Sequence, residues 1–193
     1  MQSTQFNELM IRLELLGIQN DEEVSDRKKK YLNITRDTGE LFSVLVKLIK
    51  PKNILEVGTS NGYSTLWFAA SMSEGGCITT IERNENKIKE AKANFLESGL
   101  NERIEIVAGE AMELLPRMEK RFDIVFLDSD RDIYEPLLKD IIRLTASGGL
   151  IIFDNAISHR NEFDSVMTAF NNNPEFTCSL LTVGKGEFLA YKH

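Results

Sequence analysis

The stretch Ile54-Leu55-Glu56-Val57-Gly58-Thr59-Ser60-Asn61-Gly62-Tyr63-Ser64 decides the fold of this chain. Its first four residues form a short, mainly apolar run that is typical of a buried strand, and two glycines follow. A glycine turn between a strand and a helix lets backbone N–H groups and the helix N-terminus approach a ligand closely, because glycine has no Cβ. The stretch therefore predicts a strand, a ligand-binding turn and a helix in that order.

Short apolar runs alternate with longer amphipathic stretches along the chain. The runs span residues 54–57, 77–81, 104–108, 124–127 and 150–153. Several of them are apolar without alternation, which is typical of strands buried on both faces. Apolar residues at helical spacing lie between the runs, as at Ile88, Ala91 and Phe95. This alternation predicts a parallel sheet with helices on both faces.

The last part of the chain departs from this rhythm. Residues 176–183 and 187–191 are strand-like, and only Gly184-Lys185-Gly186 joins them. This connection is too short for a parallel crossover, so the two strands must pair in antiparallel fashion. The sequence thus predicts an α/β fold with a Rossmann-like, seven-stranded, mostly parallel sheet that ends in an antiparallel hairpin.

Length and charge limit the domain organisation and the classes of partner. The 193 residues contain no repeat or linker, so we expect one domain over residues 1–193, with residues 1–31 as an N-terminal helical extension. Apolar residues recur at helical spacing in that extension, at Phe6, Leu9, Met10, Leu13 and Leu16. The net charge of −7 argues against a nucleic-acid partner.

The cysteines and the apolar segments indicate the compartment. Cys77 and Cys178 lie too far apart in sequence for a zinc motif or a disulfide framework, so we expect reduced thiols. No stretch is apolar for long enough to form a transmembrane helix, and the N-terminus does not have the pattern of a signal peptide. We therefore expect a cytoplasmic protein without a membrane partner.

The glycine spacing distinguishes between cofactors. The dinucleotide fingerprint G-x-G-x-x-G requires a glycine where Ser60 stands, so a nicotinamide dinucleotide is not expected. The pattern E-x-G-x-x-x-G-Y-S over residues 56–64 instead resembles the first motif of the catechol and caffeoyl-CoA O-methyltransferases. These are cation-dependent members of the class I S-adenosylmethionine-dependent methyltransferases, whose sheet also ends in an antiparallel hairpin. The resemblance extends over about residues 32–191.

The resemblance implies S-adenosylmethionine as the cofactor and assigns residues to its parts. Glu82, at the end of the second strand, would accept hydrogen bonds from the ribose hydroxyls. The resemblance places adenine at Ala111 and Met112, the methionine carboxylate at Ser64, and the segment 32–34 over the methionine end. The full implied set is Leu32, Ile34, Glu56, Gly58, Gly62, Tyr63, Ser64, Glu82, Ala111, Met112 and Asp128.

Acidic residues follow the fourth and fifth strands. Asp128 ends the fourth strand, and Asp154 and Asn155 end the fifth. The carboxyl ends of neighbouring strands share one crevice, and oxygen ligands of this kind suit Mg²⁺. Taken alone, each acid also fits helix capping or loop solvation. The resemblance places the metal ligands of the family at these three positions, which implies a divalent cation that activates a hydroxyl.

The sequence departs from the family at the position of its catalytic lysine, where Arg131 stands. A guanidinium stays protonated, so it cannot accept a proton, but it can stabilise a phenolate or bind an acidic group of the acceptor. Proton removal would then involve the metal, water, Asp130 or His159. The catalytic candidates are Asp128, Arg131 and His159, with a surface ion pair between Arg131 and Asp130 or Asp132 as the alternative for Arg131.

The leading hypothesis is cation-assisted methyl transfer from S-adenosylmethionine to a phenolic or other hydroxyl of a small molecule. A metal-independent methyltransferase, for example one that acts on nitrogen, and an inactive cofactor-binding module are the alternatives, and a nucleic-acid methyltransferase ranks last. The segment after Asn155 and the N-terminal region are shorter than in most relatives. The acceptor therefore cannot be inherited from the resemblance, and a homodimer is left open.

Overall fold

The computed structural model describes residues 4–193, so residues 1–3 of the predicted domain lie outside the described part. Seven strands form one sheet. They are β1 (Asn53–Val57), β2 (Cys77–Glu82), β3 (Ile104–Ala108), β4 (Phe122–Leu127), β5 (Thr145–Phe153), β6 (Phe176–Leu181) and β7 (Glu187–Lys192). Their order across the sheet is β3-β2-β1-β4-β5-β7-β6. The pairs among β1 to β5 are parallel, and β7 is antiparallel to both β5 and β6, which confirms the predicted topology.

Helices cover both faces of the sheet. They are α1 (Thr4–Glu23), α2 (Arg36–Ile49), α3 (Tyr63–Ser71), α4 (Glu85–Ser98), α5 (Ala111–Leu114), α6 (Tyr134–Leu144) and α7 (Arg160–Asn171). Helices α1 to α4 pack with Ile54 and Phe126 in one core cluster. Helices α5 to α7 pack with Leu55 and Leu127 in the other. Because alternate side chains of β1 and β4 are buried on opposite faces, both strands have the continuous apolar runs seen in the sequence.

The N-terminal extension joins this core. Phe6, Leu9 and Leu13 of α1 are buried in the same cluster as Phe42 of α2. Leu16, which the spacing placed on the same apolar face, is 42% exposed, because α1 turns that position away from the core. None of the helices within residues 4–193 is long and apolar enough to cross a membrane. The cytoplasmic location stays a prediction.

The carboxyl ends of β1, β2, β4 and β5 lie side by side at one edge of the sheet. Backbone hydrogen bonds hold them there: Gly58 N donates to Ile81 O at 3.0 Å, and Asp128 N donates to Val57 O at 3.0 Å. Asp154 N likewise donates to Leu127 O at 3.1 Å. This edge therefore brings the glycine turn and the acidic strand ends together.

Candidate active site

One cavity of about 1060 Å³ opens at this edge of the sheet. Most of the residues that the sequence predicted for the site lie in its wall. These are Leu32, Ile34, Gly58, Tyr63, Ser64, Glu82, Ala111, Asp128, Arg131, Asn155 and His159. Four predicted residues are not part of the wall, namely Glu56, Gly62, Met112 and Asp154. Of these four, Glu56 and Asp154 are buried, and Met112 is 44% exposed.

The two glycines of the turn are required for different reasons. Gly58 has φ +106°, and a Cβ on it would lie 2.0 Å from Asp128 O, so the turns after β1 and β4 could not approach each other. Gly62 has φ +87° and caps α3, and a Cβ there would lie 2.3 Å from the Phe95 ring. Gly58 thus shapes the cavity directly, whereas Gly62 allows α3 to pack against α4.

Glu56 lies beneath the turn and is fully buried. Its carboxylate accepts hydrogen bonds from Ser64 Oγ at 2.5 Å, from Thr80 Oγ1 at 2.6 Å and from Thr65 Oγ1. Burial raises the pKa of Glu56 to about 7, and the three hydroxyl hydrogen bonds oppose that rise. Glu56 therefore links β1, β2 and α3 through hydrogen bonds. Ser64 was predicted to bind the cofactor carboxylate, and in the structure its hydroxyl donates to Glu56.

Glu82 is held at the cavity wall by backbone N–H groups. Its Oε2 accepts from Ser60 N at 2.9 Å, and its Oε1 accepts from Arg83 N and Asn84 N, both at 2.9 Å. These bonds orient the carboxylate before any ligand arrives. Oε2 makes only one of them, so it can still accept a hydrogen bond from a hydroxyl.

Asn61 is a cavity residue that the sequence reasoning missed. It is 1% exposed, and its Oδ1 accepts a hydrogen bond from Tyr63 N at 3.2 Å. Its Nδ2 is buried and has no hydrogen-bond partner within residues 4–193. A buried donor without a partner costs about 1–3 kcal/mol, so a polar ligand in the cavity would stabilise this group. The turn thus fits a cofactor that carries hydrogen-bond acceptors.

Carboxylates cluster at the other end of the cavity. Asn155 Nδ2 donates to Asp154 Oδ2 at 2.5 Å and lies 3.4 Å from Asp128 Oδ1. The pKa of Asp128 is raised well above its usual range, first by burial, then by the charges of Asp154 and Glu56. The predicted metal residues therefore lie together, although Asn155 presents its amide nitrogen to the two acids. A cation would require the amide oxygen in that place.

Glu187, at the first position of β7, adds a third carboxylate that the sequence reasoning missed. It is fully buried, its Oε1 accepts from Thr38 Oγ1 at 3.1 Å, and its Oε2 receives no hydrogen bond from the described residues. Burial and the neighbouring Asp154 raise its pKa to about 10. In the local sequence it is only one acidic residue after a short turn, and this position has no motif to mark it.

The donor set at this end consists of oxygen atoms, and it suits a hard divalent cation. Burial, and then the charge of Asp154, raises the pKa values of Asp128 and Glu187, and a cation would compensate these carboxylates. No group of three or more His, Cys, Asp or Glu side chains within residues 4–193 is arranged to hold a metal ion. The predicted ligands are two carboxylates and one amide, so they do not form such a group. The chemistry of these three side chains still fits a hard divalent cation.

Arg131 lies in the cavity wall, and its partner differs from the expected ones. Its side chain is only 6% exposed, and its Nε donates to Glu162 Oε2 on α7 at 2.8 Å. Asp130 binds Arg83 instead, at 2.6 Å. The alternative of a surface ion pair between Arg131 and Asp130 or Asp132 is therefore wrong. The two terminal nitrogens of Arg131 have no further partner in the described part of the chain, so they can bind a ligand.

His159 precedes α7 and also lines the cavity. Its Nδ1 lies 2.9 Å from Ser158 Oγ. Burial lowers the pKa of His159, and the positive charge of Arg131 lowers it further. The imidazole is therefore neutral near neutral pH, and a neutral imidazole can accept a proton.

Comparisons with known proteins place the chain in a family. The profile of a family described as O-methyltransferase matches residues 14–193. A catechol O-methyltransferase of Niastella koreensis is 29% identical over 165 residues, which cover 80% of this chain and 75% of that protein. A catechol O-methyltransferase of Mycobacterium tuberculosis is 31% identical over 125 residues, which cover 64% of this chain and 57% of that protein.

The crystal structure of an O-methyltransferase from Bacillus cereus in complex with SAH has a TM-score of 0.80. The match covers 100% of this chain and 92% of that chain at 22% sequence identity, so it supports the fold.

The chain therefore belongs to the O-methyltransferase family, which lies within the class I S-adenosylmethionine-dependent methyltransferases. The family resemblance and the enzyme class predicted from the sequence are confirmed. The roles of individual residues, the cation, the phenolic acceptor and the homodimer stay predictions.

Proposed function

We propose that this protein transfers the methyl group of S-adenosylmethionine to a hydroxyl of a small, phenolic acceptor, with a divalent cation at the acidic end of the cavity. The observation that carries the proposal is a single cavity bounded by the glycine turn on one side and by Asp128 and Asn155 on the other. The turn has the family motif for the methyl donor, and the acidic end offers oxygen ligands for a cation. Donor and acceptor would therefore meet in one space.

The cofactor would lie along the turn. Glu82 would accept the ribose hydroxyls through Oε2, and Asn61 Nδ2 would gain an acceptor. Leu32 and Ile34 would cover the methionine end, and Ala111 would contact adenine. Glu56 and Gly62 would act indirectly, because they position α3 and the turn. The complex of the Bacillus cereus O-methyltransferase with SAH supports the same donor here.

Asp128, Asp154 and Asn155 would hold the cation. When bound, the ion would lower the pKa of the acceptor hydroxyl and orient its oxygen. Glu187 lies next to Asp154, and a bound cation would favour its ionised form, so that Glu187 would then supply a further carboxylate at this end of the cavity. Thr38, which donates to Glu187, would keep that carboxylate in place.

In the reaction the acceptor oxygen forms a bond to the methyl carbon, the bond from that carbon to sulfur breaks, and the hydroxyl proton leaves. His159 is the proposed proton acceptor, because its lowered pKa keeps the imidazole neutral. Arg131 stays protonated and would stabilise the oxyanion as the proton leaves. Arg131 would thus supply the positive charge that the family lysine provides, and His159 would supply the base.

A metal-independent methyltransferase is the second candidate. The observation in its favour is that Asn155 Nδ2 donates to Asp154 Oδ2 and lies 3.4 Å from Asp128 Oδ1, so that an amide donor already faces both acids. Asp128 and Asp154 would then bind the acceptor by hydrogen bonds, and a nitrogen nucleophile would serve as well as an oxygen.

Release of S-adenosylhomocysteine across a panel of phenols, catechols and amines tests these candidates. The proposal expects turnover of catechols that EDTA removes and that added Mg²⁺ restores. Turnover that continues in excess EDTA would favour the metal-independent enzyme. Cofactor binding without turnover of any compound would favour an inactive module.

A further inference from the structure

Positive side chains gather at the acceptor end of the cavity. Arg27 lies in a 3₁₀ turn at Arg27–Lys29, Arg131 follows β4, and Lys185 lies in the turn between β6 and β7. All three line the same cavity as His159. The chain as a whole has a net charge of −7, so this concentration of cations does not follow from composition.

Lys185 is held beside the segment that carries Asn155 and His159. Ser158 N donates to Lys185 O at 3.0 Å, and Ile157 N donates to it at 3.3 Å. The next residue, Gly186, has φ +101°, and a Cβ on it would lie 2.4 Å from Ile157 Cγ1. The turn therefore packs tightly against this segment, which fixes the backbone of Lys185 at the cavity wall.

Only one of these three cations forms an ion pair in the described part of the chain. Within residues 4–193, Arg27 and Lys185 form no ion pair, and Arg131 uses only its Nε, toward Glu162. Three acids of the wall already face other cations. Asp130 and Glu110 bind Arg83, and Asp26 lies 3.9 Å from Lys29. The side chains of Arg27 and Lys185 and the two terminal nitrogens of Arg131 are therefore available to a ligand.

We propose that the acceptor carries an anionic group, a carboxylate or a phosphate-like group, which binds among Arg27, Arg131 and Lys185. Its hydroxyl would lie at the acidic end, near Asp128 and Asn155. The inference rests on the proposed function, and it narrows the acceptor to hydroxylated aromatic acids. Arginine forks match the oxygen pairs of carboxylate and phosphate groups, and a neutral acceptor would give no anionic partner to Arg27, to Lys185 or to the terminal nitrogens of Arg131.

Matched acceptors that differ only in charge test this inference. The anionic compounds are 3,4-dihydroxybenzoate and 3,4-dihydroxyphenylphosphonate, and the neutral one is 3,4-dihydroxybenzamide. We expect wild-type kcat/KM to favour an anionic compound, and the preferred anion distinguishes carboxylate from phosphate recognition. Lys185→Met should reduce that preference about tenfold, as the loss of one charge-assisted hydrogen bond would. Lys139→Met is the control, because Lys139 is exposed on α6 and lies outside the cavity wall.

Two outcomes would overturn the inference while the proposed function stands: equal turnover of the amide and the acids, or an equal loss for all three in Lys185→Met. If no compound is methylated, the proposed function fails for this class. Calorimetry with 3,4-dihydroxybenzoate on the protein saturated with S-adenosylhomocysteine then decides the inference separately. Binding that is weakened about tenfold in Lys185→Met supports it, and absence of binding overturns it.

Discussion

Replacement of Arg131 by methionine separates a catalytic role of this residue from a structural one. The side chain is 6% exposed, one of its nitrogens binds Glu162, and the other two are free in the described part of the chain. If those two stabilise the oxyanion, the loss should cost on the order of 3 kcal/mol in the transition state, or about a hundredfold in the rate of methyl transfer. Arg131→Lys should retain most of the rate, because it keeps the charge.

Glu162→Gln provides the matched control. It removes the ion-pair partner but leaves the guanidinium in the cavity, so the rate should stay near that of the wild type. The assay is single-turnover methyl transfer to 3,4-dihydroxybenzoate with cofactor in excess, together with calorimetry of cofactor binding. Wild-type rates in Arg131→Met would refute the reasoning. A rate loss in Glu162→Gln as large as that in Arg131→Met would show instead that the ion pair, and not the free nitrogens, matters.

Three further predictions concern the cofactor site, the cation and the buried Glu56. Glu82→Ala should weaken S-adenosylmethionine binding by about 1–3 kcal/mol in calorimetry, and unchanged affinity would remove Glu82 from the cofactor site. Asp154→Ala should abolish Mg²⁺-dependent turnover while cofactor affinity stays largely intact, and full activity in excess chelator would contradict the cation hypothesis. Burial raises the pKa of Glu56 from 4.5 to about 7, so its contribution to stability is present at low pH and is lost as the pH rises through this window. Between pH 4.5 and pH 7.5 the wild type should therefore lose about 3 kcal/mol of unfolding free energy relative to Glu56→Gln in urea titrations, with exposed Glu74→Gln as control. Parallel pH profiles in the wild type and Glu56→Gln would show that Glu56 is ionised in the folded protein without cost.

The sequence by itself determined the class of fold and the two ends of the site. Hydrophobic patterning is a local property, and residues 124–127 and 150–153 have the continuous apolar character that burial on both faces demands. The turn at Gly58 indicates a ligand because only glycine permits such a close approach. Asp128 and Asp154 could be placed together because parallel neighbouring strands end at the same edge.

Where a strand begins with residues that are not apolar, its boundary is set by pairing with the neighbouring strand. The fifth run was expected at residues 150–153, but β5 begins at Thr145. Thr145 pairs with Phe122 across an irregularity in the register, and the intervening Gly148 and Gly149 have no pattern that predicts a strand. Pairing with β4 extends this strand, and the local sequence contains no signal that predicts this pairing.

Only the tertiary structure decided which distant residues complete the site. The antiparallel register pairs Phe153 with Phe188, so the next residues, Asp154 and Glu187, come to lie opposite each other. The same hairpin brings Lys185 to the cavity, and the packing of α7 brings Glu162 to Arg131. These contacts join residues far apart in sequence, and their energy depends on burial and charge that exist only when the segments pack together.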